Sequence, residues 1–306
     1  MRDTAMVGAM VGDAVAGGAG AGWRRGGRLA ARRRLADRLA TGLSLAATAV
    51  VLVALASILL TLLVRGLPGL SASVFLRATL PPGSGGGLAN AIVGSLLQTG
   101  LAAAIGTPVG LLTGVYLSEY GQDGRVVDVV RFVSDMMLSA PSILVGLFVY
   151  MALVAPVGHF SGLSGAVALA ILFVPVVVRT TEDMLRLVPL TMREAAYALG
   201  APKWRVVLQV CLRAARSGVL TGILLAVARV SGETAPLLFT SLGNMNWSLD
   251  LGAPMASLPV AIYQYAGSAY DDWTQLAWTG ALLITTGVLL LNVLVRVWSH
   301  RTGAGE

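Results

Sequence analysis

Between Ala89 and Ser118 the sequence runs for 30 residues without a charged side chain. Elements of a water-soluble domain alternate apolar with polar positions. A run of this length therefore restricts the chain to folds that cross a bilayer, where a helical span takes about 20 apolar residues. The run has companions. Thr41 to Val64 is free of charge, and Met136 to Val178 carries nothing ionisable except His159. The latter is too long for one span and divides at Ala155-Pro156-Val-Gly-His-Phe-Ser-Gly-Leu-Ser-Gly165. Composition agrees: 56% of the residues are hydrophobic and 12% charged, with mean hydropathy +0.78, whereas a soluble domain is about 25% charged.

These runs predict six spans, at about 41–64, 89–118, 132–154, 163–181, 217–242 and 276–295. Residues 1–40, rich in Gly, Ala and Arg, have no apolar period, and their composition predicts a basic tail without regular structure, except for a surface helix from Arg28 to Arg38. The run that follows exceeds the 7–15 residues of a signal-peptide core and reads as a retained first span. The organisation expected is the tail (1–40), a first span with its loop (41–88), a main membrane domain (89–298) and a short tail (299–306).

Lys and Arg distribute unevenly about these spans. Placing the N-terminus in the cytoplasm puts 19 basic residues inside, leaves Arg65 and Arg77 outside, and leaves Arg229 within the membrane. By the positive-inside rule both termini are then cytoplasmic. The net charge of +7 is split into short blocks between apolar runs, a pattern of topology rather than of a nucleic-acid surface. Cys211 is the only cysteine, which excludes an intrachain disulfide and a cysteine metal cluster. Lys203, the only lysine, is followed by Trp204, so the chain has no G-x-x-x-x-G-K-[ST] loop and no ATP site of that type. His159 has no second ligand at metal spacing. Asp135 reads as a wet residue or a partner of Arg131, and Trp273, Trp278 and Trp298 as interfacial anchors.

The cytoplasmic segment Pro189-Leu-Thr-Met-Arg-Glu-Ala-Ala-Tyr-Ala-Leu-Gly-Ala-Pro-Lys-Trp-Arg205 carries more information than any other. Thr191 and Glu194 have capping-box spacing for a helix from Met192. Gly200 stands where a left-handed residue would end that helix, and Pro202 suits the first turn of the next. Ala195 and Ala196 leave a smooth surface for close approach by another protein; a plain helical hairpin on the membrane surface has the same local chemistry.

Glu194-Ala195-Ala196-x-x-x-Gly200 resembles the EAA loop of bacterial ABC importer permeases. The resemblance implies an all-α integral membrane protein with six transmembrane helices and the type I ABC importer (MetI-like) permease fold. It also implies ATPase coupling through a loop of about 186–213, carried by Glu194, Ala195, Ala196, Gly200, Pro202 and Lys203.

Ala228-Arg-Val-Ser-Gly-Glu-Thr-Ala-Pro-Leu-Leu238 brings ionisable groups deep into a predicted span, away from its cytoplasmic end. Arg229 falls near the bilayer midplane, where an arginine costs about 2.5–3.5 kcal/mol on insertion scales. Glu233, at i+4, can face it on one helix. Two readings stand: a self-neutralising pair that staples helices, or a substrate pathway lined by Arg229, Ser231, Glu233 and Thr234, whose guanidinium fork matches an oxyanion.

The R-x-x-G-E-T-A-P-L-L run, with E-A-A-Y-A-L-G-x-P-K-W before it and Ala256 to Tyr263 and Trp273 to Trp278 after it, is similar to the PstA-type permease subunits of phosphate importers over residues 40–298. Those subunits also lack the proline that ends the broader EAA pattern, where Arg213 stands here. The likeness implies a non-catalytic subunit passing phosphate by Arg229. Its partners would be a PstC-like second permease, a PstB-like ATPase dimer that binds ATP and Mg, and an extracytoplasmic PstS-like phosphate-binding protein. An importer for sulfate or molybdate, or a gradient-driven secondary transporter, are the alternatives; the latter calls for inverted repeats, which the sequence does not display.

Overall fold

The computed structural model describes the backbone of residues 4–121 and 124–303, and the side chains of 33–121, 124–294 and 297. Asp123 and the side chains of Arg296, Trp298 and Arg301 lie outside the described residues, as do those of the basic residues before Arg33. Every regular element described is helical.

Helix α1 spans Thr4–Gly66. It begins well inside the stretch expected to lack structure, because Ala and Arg are strong helix formers even where no apolar period exists. Up to Thr61 it is a unit of its own, and Leu62 onward belongs to the bundle. Its last turn is tied down by side chains: Gln275 Nε2 donates to the Arg65 carbonyl at 2.7 Å and Thr279 Oγ1 to that of Gly66 at 3.2 Å, meeting the carbonyls a helix end leaves unpaired. A short helix, α2 (Ala72–Leu76), sits in the loop that follows. The uncharged run becomes α3, Ala89–Tyr120, whose last five residues form a π-helical turn.

The expected third span, 132–154, is two helices instead. α4 (Arg125–Ser139) and α5 (Ser142–Val157) meet at 106°. The bend falls at Ala140-Pro141, both extended in ψ; a proline pushes the residue before it out of the helical region. α5 ends at Gly158, φ 82°. The fourth span is α6, Gly162–Arg186, capped by Ser161, whose Oγ accepts the Ser164 amide at 3.1 Å. α7 (Leu190–Ala198) follows. The expected fifth span, 217–242, is also redrawn: α8 starts at Lys203, runs to Val230 and stops, and a short α9 (Ala235–Thr240) resumes after a four-residue break. The loop read between the last spans contains α10, Leu258–Ala266, before α11, Asp271–Gly303. Among the described residues five stretches are thus long and apolar enough to cross a membrane, and the bent α4–α5 pair makes a sixth if counted as one span.

α6 is the axis of the bundle. In its span 72% of residues are buried, against 28% in α3, α8 and α11. Leu169, Phe173, Val176 and Val177 of α6 meet Ala102 of α3, Ala226 of α8 and Leu237 of α9 in the main core. The α3 contact is made by a small-residue row. Gly106, Gly110 and Gly114 face Phe173, Val177 and Thr181, both rows advancing one turn at a time. A Cβ on Gly110 would stand 2.7 Å from the Val177 Cβ, and one on Gly114 2.7 Å from the Thr181 Cβ. α8 approaches the other side of α6 similarly, with Gly222 against Thr180. Such rows let backbones approach closely where lipid offers no hydrophobic drive to associate.

Replacing Gly110 with Val should separate α3 from α6 or force both off their rotamers, at about 1–3 kcal/mol. A thermal-unfolding midpoint in detergent several degrees below wild type is the expected outcome; an unchanged midpoint would mean the two helices do not pack as described.

Candidate functional site

The break between α8 and α9 is the first region of interest. Arg216 is the last charged residue before Arg229, and 13 helical residues put the two about 20 Å apart along α8, inside a hydrocarbon core of about 30 Å. The helix ends one residue past Arg229. Ser231 N–H still donates to the Val227 carbonyl, Glu233 N–H turns back to Val230, and Pro236, in the first turn of α9, has no N–H to give. α9 is held by close contact with α5: a Cβ on Gly146 would lie 2.7 Å from the Pro236 Cα. Beyond it, Leu242 (φ 59°) and Gly243 (φ 144°) turn the chain. The 244–257 loop is then fastened back to the start of α6 through Gly162 N–H to Ala253 and Leu163 N–H to Leu251, and to α3 through Gln98 Nε2 on the Ala256 carbonyl at 3.3 Å.

This break bears on the first of the two readings, a self-neutralising pair on one helix. Because α8 stops at Val230, Arg229 and Glu233 do not share a helix, and the expected pair does not form. Among the described residues Arg229 has no ion pair and no side-chain hydrogen bond, and it is exposed. It continues an exposed row of α8 through Thr221 and Leu225. Glu233 and Thr234 are half-buried, and the Thr234 side chain does not cap α9. Ser231 is separate from the others. Roughly 200° around the helix from Arg229, it donates to the Ala228 carbonyl at 2.9 Å and borders an apolar cavity of about 360 Å³ with Thr99, Leu258 and Leu283. Arg229 thus lies on an open face of α8, four residues before Glu233 in the chain, while Ser231 is turned away from it.

The second region is the hairpin of α7 and the start of α8. The Thr191–Glu194 capping box is not formed: α7 starts at Leu190, with Pro189 as N-cap and no side-chain cap bond. Proline fixes φ near the value this position takes (−57°), and its carbonyl accepts the Met192 amide at 3.2 Å. The other end is as expected. Gly200 has φ 77°, its N–H donates to Tyr197 at 2.9 Å, and Ala201 N–H to Ala196 at 3.2 Å, the paired bonds of a Schellman motif. Pro202 is the N-cap of α8 rather than its first residue. Glu194, Ala195, Gly200, Pro202 and Lys203 are exposed, whereas Ala196 packs inward on a core of Leu185, Val206 and Cys211.

Two carboxylates that the sequence analysis assigned no role, Glu182 and Glu119, are buried beside this hairpin. Glu182, with its side chain 2% exposed, accepts Arg131 Nε at 2.9 Å and Arg186 Nη2 at 2.6 Å on one oxygen. Glu119 accepts Arg193 Nη1 at 2.7 Å. The sequence did hold a signal for Glu182: it lies four residues after Val178 and three before Leu185, on the buried row of α6. Asp135 pairs with Arg179 at 3.8 Å, not with Arg131, which is taken by Glu182. His159 is exposed and contacts only the Phe160 carbonyl through its ring nitrogen; no group of metal-ligating side chains occurs among the described residues. Trp273 and Trp278 have partners inside the chain, Trp273 stacking on Tyr265 and Trp278 lying under Arg65.

A helical bundle with a broken span and an exposed, Schellman-closed hairpin is the architecture of this chain. Residues 106–303 match the family of binding-protein-dependent transport system inner membrane components, and the chain belongs to it. It is thereby a multi-pass inner-membrane protein and a non-catalytic transport subunit. Among its relatives are the phosphate transport system permease proteins PstA of Pasteurella multocida, 55% identical over 79% of this chain and 86% of the relative, and of Yersinia pestis, 55% identical over 86% and 90%. PstA 1 of Mycobacterium tuberculosis (strain ATCC 25618 / H37Rv) is 42% identical over 71% of each chain. The fold is also that of the methionine ABC transporter MetNI in an inward-facing form, with TM-score 0.54, 20% identity, and 70% of this chain and 94% of that one covered.

Glu182 of α6 and Asp135 of α4 should respond unequally to removal. Glu182→Ala removes a buried carboxylate that joins Arg131 and Arg186, whose side chains are 31% and 53% exposed and can rehydrate, and should cost about 1–3 kcal/mol. Asp135→Ala removes an exposed, loose pair and should cost less than about 0.5 kcal/mol. Detergent melts of the two variants give the comparison, and equal losses would contradict the burial assigned to Glu182.

Proposed function

We propose that this chain is the permease subunit through which inorganic phosphate enters the cytoplasm, with Arg229 as the charged group of the pathway. The observation that carries the reading is an arginine at membrane depth without a partner among the described residues. Facing hydrocarbon, it would cost about 2.5–3.5 kcal/mol, and backbone broken at that depth is tolerated only where protein or a water-filled cavity covers it. The exposed row Thr221–Leu225–Arg229 therefore borders a pathway completed by a second, PstC-like permease. There a phosphate oxyanion meets the guanidinium, with Glu233 and Thr234 at the same break. The similarity to permeases named for phosphate favours that substrate over sulfate or molybdate.

The positive-inside count supports cytoplasmic termini and puts the α7 hairpin on the cytoplasmic side. Its exposed Glu194, Ala195, Gly200, Pro202 and Lys203 form the surface that docks on a PstB-like ATPase dimer, where ATP and Mg bind, while a PstS-like binding protein delivers phosphate from outside. Residues 89–298 constitute the transporting domain and the N-terminal segment is an addition to it.

In cells lacking their own importer, Arg229→Gln should lower labelled-phosphate uptake by at least 100-fold while the chain still inserts and co-purifies with the ATPase. Uptake at the wild-type rate would exclude Arg229 from the pathway. Gly200→Val tests the hairpin. Space is open around Gly200, so the effect comes from its left-handed backbone, which costs a side-chain residue about 1–2 kcal/mol. Uptake should fall with ATP hydrolysis continuing; unchanged uptake would argue against docking through this turn.

A further inference from the structure

We infer that the π-helical turn at the end of α3, through Glu119 and Tyr120, is the element that carries movement of the α7 hairpin into the bundle. The inference rests on the reading that the hairpin docks an ATPase. The turn holds the hairpin on both sides of its Gly200 corner. On the α7 side, Arg193 Nη1 donates to Glu119 Oε2 at 2.7 Å and its Nη2 donates to the Leu185 carbonyl, in the last turn of α6, at 2.6 Å. On the α8 side, the Lys203 ammonium lies over the Tyr120 ring, 4.7 Å from its centroid. Consecutive residues of one turn thus grip both arms of the hairpin.

The chemistry makes the first of these contacts stiff. The Glu119 side chain is 5% exposed and that of Arg193 18%. Little water competes there, and a guanidinium that bonds a carboxylate and a carbonyl at once is fixed in direction as well as distance. An open cleft of about 380 Å³ lies beside it, bordered by Ser118, Arg186, Pro189 and Arg193. Movement of α7 relative to the bundle can pass through the 187–189 connection, the Ala196 packing and the Gly200 corner, and the ion pair adds a direct polar link from α7 to the end of α3. A π turn suits the receiving role, because its widened backbone is a common place for a helix to absorb a shift. From that turn α3 leads along the glycine row into α6 and the core that includes Val230, next to Arg229.

The test uses the assembled importer, this chain with its partner subunits, in phospholipid vesicles, and reads phosphate taken up per ATP hydrolysed. Glu119→Gln and Arg193→Gln should each lower that ratio at least tenfold, and the exchanged pair Glu119→Arg with Arg193→Glu should recover a third or more of it. Wild-type ratios in the single variants, or an exchanged pair no better than either, would overturn the inference. Tyr120 is 45% exposed, so Tyr120→Leu should fold whatever happens to the buried pair. A several-fold lower ratio is expected for it, and a wild-type ratio counts against the turn. A thiol at the exposed Ala195, in a chain with Cys211 replaced by Ala, separates this inference from the reading beneath it. Failure of that thiol to cross-link to the ATPase removes the docking reading; cross-linking combined with normal ratios in the variants removes only the role of Glu119 and Tyr120.

Discussion

In lipid an apolar side chain gains little by leaving hydrocarbon for a protein interior, so the contact between helices depends on how closely their backbones can approach. Here that approach is set along α6. Gly106, Gly110 and Gly114 of α3 admit Phe173, Val177 and Thr181 on one side, and Gly222 of α8 admits Thr180 on the other. The same helix carries Glu182 at one end, and the serine-capped start that receives the 244–257 loop at the other. Both regions of functional interest are positioned by this one buried helix: the break after α8, and the hairpin joined to it through Leu185 and Val188.

Charge is used differently at the two regions. Near the hairpin every buried carboxylate is answered by an arginine within 3 Å, Glu119 by Arg193 and Glu182 by Arg131 and Arg186. Breaking such a pair leaves an uncompensated buried charge, so these contacts tie segments rigidly. At the α8–α9 break the opposite holds. Among the described residues Arg229 has no partner, and it stands near the negative end of the α8 dipole, which favours the cation without neutralising it. A fixed positive charge beside interrupted backbone can recruit an anion, and a self-paired one could not.

Much of this was legible in the chain itself. Uninterrupted apolar runs located the spans, because no other environment accommodates them. The Gly200 corner was readable because a helix ending in a left-handed residue has one dominant solution. What the residues did not disclose came from competition between local signals. Pro141 turned one expected span into two helices at 106°. Pro189 displaced the Thr191–Glu194 capping box, since a proline before the helix already sets the entry angle. The spacing of Arg229 and Glu233 implied a pair only if the helix continued, and Gly232 with Pro236 ended it. Glu119 was hidden for a related reason. A π turn shifts the helical register, so a residue just past the uncharged run faces inward.

The central claim is that Arg229 borders an aqueous pathway. It is tested most directly by placing a single thiol there, Arg229→Cys in a chain with the buried Cys211 replaced by Ala, within the assembled importer. A charged, membrane-impermeant thiosulfonate reagent should modify that thiol, and excess phosphate-loaded binding protein with ATP should change the rate. A thiol that reacts only with lipid-soluble reagents would place residue 229 against hydrocarbon and contradict the account.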